Sequence, residues 1–186
     1  MPNWCRNYVT INGPEKQLKD FISSTPKNSN GNDGLLSKYV PIGEWEFEKA
    51  VDSWGTKWDI DEIIIGEIAE QYHYHTVDLQ FDSAWTPPLE AIKAISLIFP
   101  YFQIGVHYVE DGVGFIGFVV YSNGQELVIE ESDFPDFYDD LDKMSEEDQD
   151  NLATEKQLDY EQASFDRFHD YMEQETYPQY REIYTI

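Results

Sequence analysis

The sequence predicts an α+β fold, with helices on one face of an antiparallel sheet and an acidic helix at the C-terminal end. Three observations predict it. Apolar residues alternate with period two in several stretches, two helical patterns open directly behind prolines, and a long acidic segment runs from Ser145 to Tyr177 without Gly or Pro. Along residues 5–12, Cys5, Val9 and Ile11 share one parity and Arg6, Tyr8, Thr10 and Asn12 the other, as in a half-buried strand. Gly13-Pro14 ends that strand, and Pro14 suits the first turn of a helix whose Leu18, Phe21 and Ile22 fall at i, i+3 and i+4. Residues 25–34 are turn-rich, offer no large apolar side chain to bury, and read as a mobile loop. From Leu35 to Ile68 the signals are mixed: an apolar patch (Leu35, Leu36, Tyr39, Val40), a helical pattern around Trp45 to Val51, and Trp54-Gly55-Thr56-Lys57-Trp58. No assignment follows from them.

Order returns at residues 72–82, where His73, His75, Val77, Leu79 and Phe81 share one parity and predict a second strand. Thr86-Pro87-Pro88 then supplies an N-cap hydroxyl and a proline at a helix start, with Leu89, Ile92, Ile95 and Phe99 on one helical face and Pro100 as the stop. Phe102, Ile104, Val106 and Tyr108 alternate as the next strand. A turn at Glu110-Asp111-Gly112 leads into Val113 to Tyr121, and a second turn at Ser122-Asn123-Gly124 into Leu127 to Ile129. This order predicts a ferredoxin-like βαββαβ sheet with an added β-hairpin. The expected organisation is an α+β domain over residues 1–131 and an acidic helical extension over 132–186.

Charge supports that division. The 37 Asp+Glu and 12 Lys+Arg give a net charge of −25. The first 128 residues hold 18 acidic and 8 basic side chains (net −10), and the last 58 hold 19 and 4 (net −15). Nucleic acids and anionic lipids are excluded as bulk partners, since binding to phosphates rests on Lys and Arg. With 41% hydrophobic and 16% aromatic residues, the chain is too apolar to be wholly disordered. The single Cys5 offers no intramolecular disulfide, the N-terminus lacks a secretory apolar region, and no apolar run approaches bilayer length. The expectation is a soluble protein of the bacterial cytoplasm.

Several segments carry a family resemblance. Pro2-Asn3-Trp4-Cys5 with Asn7, Trp54-Gly55-Thr56-Lys57-Trp58, Ser83-Ala84-Trp85-Thr86-Pro87-Pro88, Phe99-Pro100, and Gly114-Phe115 with Gly117 resemble the signature segments of the YubB-like ferredoxin-like domain family, over residues 1–125. The resemblance implies the fold and a setting, a plasmid or phage product acting inside a bacterium. It implies no catalytic activity. Trp54, Trp58 and Trp85 read as structural anchors that pin irregular chain to the sheet.

The acidic segment opens on Ser145 and Asp148, an S-x-x-D capping pattern, with Glu146 and Glu147 in the first turn, and predicts a helix from Ser145 to Glu175. At about 100° per residue, Ala153, Leu158, Tyr160, Phe165, Phe168, Tyr171 and Met172 form an apolar arc. Asp148, Glu155, Asp159, Asp166, Asp170 and Glu173 line up opposite them. These six span 25 residues, so the stripe is ~37 Å long with a mean axial spacing of ~7.5 Å. One strand of B-DNA sets a phosphate every ~3.4 Å. Glu130, Glu131, Asp133, Asp136, Asp139, Asp140 and Asp142 would have to supply the remaining density. Glu155 with Asp159, and Asp166 with Asp170, are like-charged i, i+4 pairs that weaken a helix, so the stripe invites a functional explanation.

The expected function is therefore non-enzymatic: inhibition of a host nucleic-acid-binding defence protein, such as a CRISPR or restriction nuclease, by a DNA-mimicking acidic surface that fills its basic groove. No cofactor is expected. One alternative is a small metal-binding enzyme using His73 and His75, with His107 joining them. Others are an interaction module that works through its aromatics, and a sheet on which Tyr8, Tyr72 and Tyr74 stack unpaired bases. Charge speaks against the last. The acidic run lacks EF-hand spacing, and the chain holds no Gly-rich phosphate loop, G-x-S-x-G elbow or C-x-x-C pair.

Overall fold

The computed structural model describes residues 3–26, 34–71, 74–137 and 145–174. The elements, in chain order, are β1 (Trp4–Gly13), α1 (Glu15–Ser24), α2 (Leu35–Tyr39), α3 (Phe47–Trp54), β2 (Ile64–Ile65), β3 (Ala69–Gln71), β4 (Tyr74–Ala84), α4 (Leu89–Ile98), β5 (Gln103–Glu110), β6 (Phe115–Ser122), β7 (Gln125–Asp133) and α5 (Glu146–Gln174). The strands form one sheet in the order β2-β4-β1-β5-β6-β7, with β3 also paired to β4. Every neighbouring pair is antiparallel.

This is the ferredoxin-like plan. β1 leads through α1–α3 to β2, which lies parallel to it across β4, and β4 leads through α4 to β5, parallel to it across β1. The β6–β7 hairpin widens the sheet beyond β5. The expected βαββαβ order and added hairpin are both present. The segment between Leu35 and Ile68, unassigned from sequence, supplies α2, α3 and the short edge strand β2. The expected loop over 25–34 lies largely outside the described residues, at 27–33.

Strand alternation sorts the side chains into two layers. Cys5, Val9 and Ile11 of β1, Val77, Leu79 and Phe81 of β4, and Ile104, Val106 and Tyr108 of β5 face one way. They pack with Leu18 and Phe21 of α1, Leu35 and Leu36 of α2, Trp54 of α3, and Ile92 and Ile95 of α4. Asp59 fastens α2 into this layer: its carboxylate accepts the backbone N–H groups of Gly34 (3.1 Å), Leu36 (2.7 Å), Ser37 (3.1 Å) and Ile60 (2.8 Å). Thr86 does not cap α4 as its position suggested. Its hydroxyl donates to Gly55 O (2.6 Å), and α4 opens at Pro88 with no side-chain cap.

The opposite face carries α5. Phe168 and Met172 join Phe118 and Val120 of β6 in a second, smaller core. β7 runs through Asp133, past the expected boundary after residue 131, and α5 lies against β5 and β6.

Candidate functional site

α5 is seated by a mixture of apolar and polar contacts. Gly105 makes room for it, since a Cβ there would lie 2.6 Å from both Met172 Sδ and Phe168 Cε2. Phe165 meets Tyr8 edge-on at 5.7 Å and His107 at 5.4 Å, and the Phe168 ring lies 5.9 Å from His107. In the middle of the buried helix face stand polar residues. Ser164 Oγ lies 3.2 Å from His107 Nε2, Gln157 Nε2 donates to Asp111 (3.0 Å), and Arg6 bridges Glu161 (3.1 Å) and Asp111 (3.2 Å). Arg167 Nε donates to Glu130 (3.2 Å). Burial, with Arg6 and Arg167 adding repulsion, pushes the His107 imidazole down to about 4, so it sits neutral under the helix at pH 7. Burial pulls the Arg6 guanidinium down, but Asp111 and Glu161 outweigh it and its pKa is raised.

The helix turns its acidic stripe outward. Asp148, Glu155, Asp159, Asp166, Asp170 and Glu173 are all exposed. Ser145 and Asp148 form the expected cap: the hydroxyl donates to Asp148 Oδ2 (2.6 Å) and accepts the Asp148 N–H (3.2 Å). Asp166 accepts from Gln162 (2.7 Å), and Glu173 lies 3.7 Å from His169. Asp133 and Asp136 are exposed as well, and the rings of Phe134 and Phe137, 6.0 and 6.2 Å from Tyr160, bring that segment alongside α5. Asp139, Asp140 and Asp142 lie outside the described residues. Glu130 and Glu131 are engaged within the fold, the latter accepting from Tyr108 OH (2.7 Å). Leu158, placed on the apolar arc from sequence, is 60% exposed, because the arc that meets the sheet centres on Gln157 and Ser164.

A second cluster lies where β1 begins and β4 ends. The two tryptophan segments are tied to each other, Thr56 Oγ1 donating to Ala84 O (2.7 Å) and Thr86 Oγ1 to Gly55 O (2.6 Å), and Ser83 Oγ closes the second segment on itself by donating to Thr86 O (2.8 Å). Of the three tryptophans expected to be anchors, only Trp54 is buried, its indole donating to Val40 O (2.8 Å). Trp58 is 38% exposed and Trp85 41%, in company with Trp4 at 50% and Trp45 at 51%. The Lys57 ammonium sits 4.7 Å from the Trp58 ring centre and 4.5 Å from that of Trp85. Trp85 has φ +75°, a left-handed conformation that costs a bulky residue on the order of 1–2 kcal/mol. Trp4 and Trp58, 6.0 Å apart and tilted by 52°, flank a cleft of about 480 Å³ that also includes Tyr8, Glu62, Ile64 and Asp82.

Residues 73–155 match the family model described as the ferredoxin-like domain in Api92-like protein. The match runs from the start of β4 into the first turns of α5. Among solved structures, the crystal structure of a protein api92 from Yersinia pseudotuberculosis is similar at 11% identity and a TM-score of 0.49, over 74% of this chain and 100% of that one. No curated protein sequence matches this chain.

His75 shares the face of Val77 and Leu79, beneath α1, whereas His107 faces α5, so the two imidazoles lie on opposite sides of the sheet and cannot meet at one metal. His73 and Tyr72 lie outside the described residues, and among the described residues no three His, Cys, Asp or Glu side chains are grouped to hold a metal ion. The stacking platform proposed for bases is largely covered, with Tyr8 half-buried beside Phe165 and Tyr74 buried. Burial pushes the Cys5 thiol up to about 12, which leaves it protonated and a poor nucleophile at neutral pH. No described helix is long and apolar enough to cross a membrane.

Sequence reasoning missed the Trp58–Lys57–Trp85 clasp and the His107–Ser164 contact. The first was legible in part, since Trp-Gly-Thr-Lys-Trp places a lysine beside two rings. The second joins residues 57 apart and leaves no local trace.

Proposed function

We propose that this protein is a non-enzymatic inhibitor whose acidic α5 surface occupies the basic groove of a nucleic-acid-binding protein in place of DNA. The observation that carries the reading is the stripe itself: six exposed carboxylates on one outward face of a helix that packs against the sheet. A carboxylate line fixed in this way attracts a basic groove without first being ordered. Asp136, between the Phe134 and Phe137 rings that meet Tyr160 of α5, adds an exposed carboxylate near the middle of the helix. The YubB-like resemblance adds the setting, a phage or plasmid product in the bacterial cytoplasm, where a CRISPR or restriction nuclease is the natural target.

The test is affinity capture from a bacterial lysate, using the wild-type chain and a variant carrying Asp159→Asn, Asp166→Asn and Asp170→Asn. The expected result is retention of a nucleic-acid-binding protein by the wild type, its release by added duplex DNA or by salt, and its loss from the variant. Equal retention by both baits, or retention that neither salt nor duplex DNA disturbs, refutes mimicry.

A further inference from the structure

We propose that the cleft between Trp4 and Trp58 docks an arginine side chain carried by an extended segment of a partner protein. The inference rests on a different surface, which meets the α5 stripe only at Glu173. Four of the five tryptophans are a third to a half exposed in one region, an apolar surface of a kind that soluble proteins keep for contacts. The rings already hold a cation. Lys57 lies over both Trp58 and Trp85 at cation–π distance, and Trp85 keeps its left-handed backbone in doing so. The neighbouring cleft repeats that chemistry: the Trp4 and Trp58 rings supply π-faces, exposed Ile64 an apolar wall for an arginine stem, and Glu62 and Asp82 the opposite charge. Arg6, also at this cleft, is neutralised by Asp111 and Glu161.

The surroundings indicate an extended polypeptide. Tyr8 and Gln80 at the inner end of the cleft also line a second cleft of about 210 Å³ that reaches Thr76 and Asp78 of β4 and Glu173 of α5. α5 covers β5 and β6 and leaves this strip of β1 and β4 as a groove between the helix and the β2–β3 edge. From Asp82 to Thr76 the groove follows six residues of strand, ~20 Å, or about six residues of an extended chain. The acidic rim repels nucleic-acid phosphates and anionic lipid, and a second copy of this chain would bring another −25 charges. A basic peptide meets none of these penalties.

The experiment is an NMR titration of the full-length protein that follows its tryptophan indole N–H signals. The probe is an acetylated, amidated (Gly-Arg)4 peptide, with (Gly-Gln)4 and an octathymidylate as comparators. Trp54, buried and bonded to Val40 O, serves as the internal reference for an intact fold. The expected result is a saturable shift of the Trp4 and Trp58 signals with (Gly-Arg)4 alone, the Trp54 signal staying fixed. Trp4→Leu should weaken that binding about three- to fivefold, and Glu62→Gln with Asp82→Asn should weaken it similarly. Asp159→Asn with Asp166→Asn and Asp170→Asn should leave it within about twofold, since none of these three lines either cleft. Absence of a saturable shift, an equal response to (Gly-Gln)4 or to octathymidylate, or an equal loss in the stripe variant would each overturn the assignment.

Discussion

Acidification tests how α5 is held, through His107. The ring lies between sheet and helix, with Tyr8 and Arg6 facing it from β1 and Ser164, Phe165, Arg167 and Phe168 from α5. Its pKa falls from an ordinary 6.5 to about 4 in the folded protein. Between those values the unfolded chain binds a proton that the folded chain refuses, so stability is full above pH 6.5 and declines as the pH falls towards 4. At about 1.4 kcal/mol per pH unit, the loss amounts to about 3 kcal/mol. The assay is urea unfolding of the wild type and His107→Gln from pH 7.5 to 3.5; glutamine stays neutral and can still reach the Ser164 hydroxyl. The carboxylates titrate in both proteins and cancel in the difference. Wild-type stability minus variant stability should be flat above pH 7 and fall by about 3 kcal/mol by pH 4. Amide exchange should show α5 loosening first, because releasing the helix rehydrates the ring. A difference that is constant with pH, or that grows on acidification, would refute the placement of a neutral histidine beneath the helix.

Other perturbations test neighbouring parts of the argument. Gly105→Ala drives a methyl into Met172 and Phe168, and should destabilise the protein by about 1–3 kcal/mol in urea while exposing α5 to limited proteolysis. Asp59→Ala strands the backbone N–H groups that open α2, and should cost about 2 kcal/mol, with amide exchange accelerated at Leu36 and Ser37. Replacing Asp159, Asp166 and Asp170 by Asn removes like-charge repulsion from two i, i+4 pairs, and should raise stability by up to about 1 kcal/mol, a thermal midpoint about 2–4 °C higher. A variant more stable yet unable to bind would mean that the stripe is kept at the expense of the fold.

The way these elements were legible, or not, follows from where their partners lie. β1, β4, β5 and β6 could be read directly, because each buries alternate residues in a core that any half-buried strand must find. β2 could not: two residues long, it exists by pairing with Gln80 and Leu79 and has no pattern of its own. Arg6, Tyr8, Thr10 and Asn12 read as a solvent face, since polar alternation says that one side of a strand is less apolar without saying what covers it.

The covering helix explains the discrepancy from its own side. α5 turns Gln157, Glu161 and Ser164 to the sheet, polar residues that a helical wheel places inside the apolar arc. They are accommodated because Asp111, Arg6 and His107 meet them, and only the folded sheet assembles those three partners. The outward stripe needs no such partners, so sequence alone located it. The polar partners of the inward face, 46 to 155 residues away in the chain, had to wait for the structure. That asymmetry bears on function: each polar match fixes the rotation of the helix, and the rotation determines which carboxylates face solvent. Breaking the inward pairs should therefore turn the stripe as well as loosen the helix.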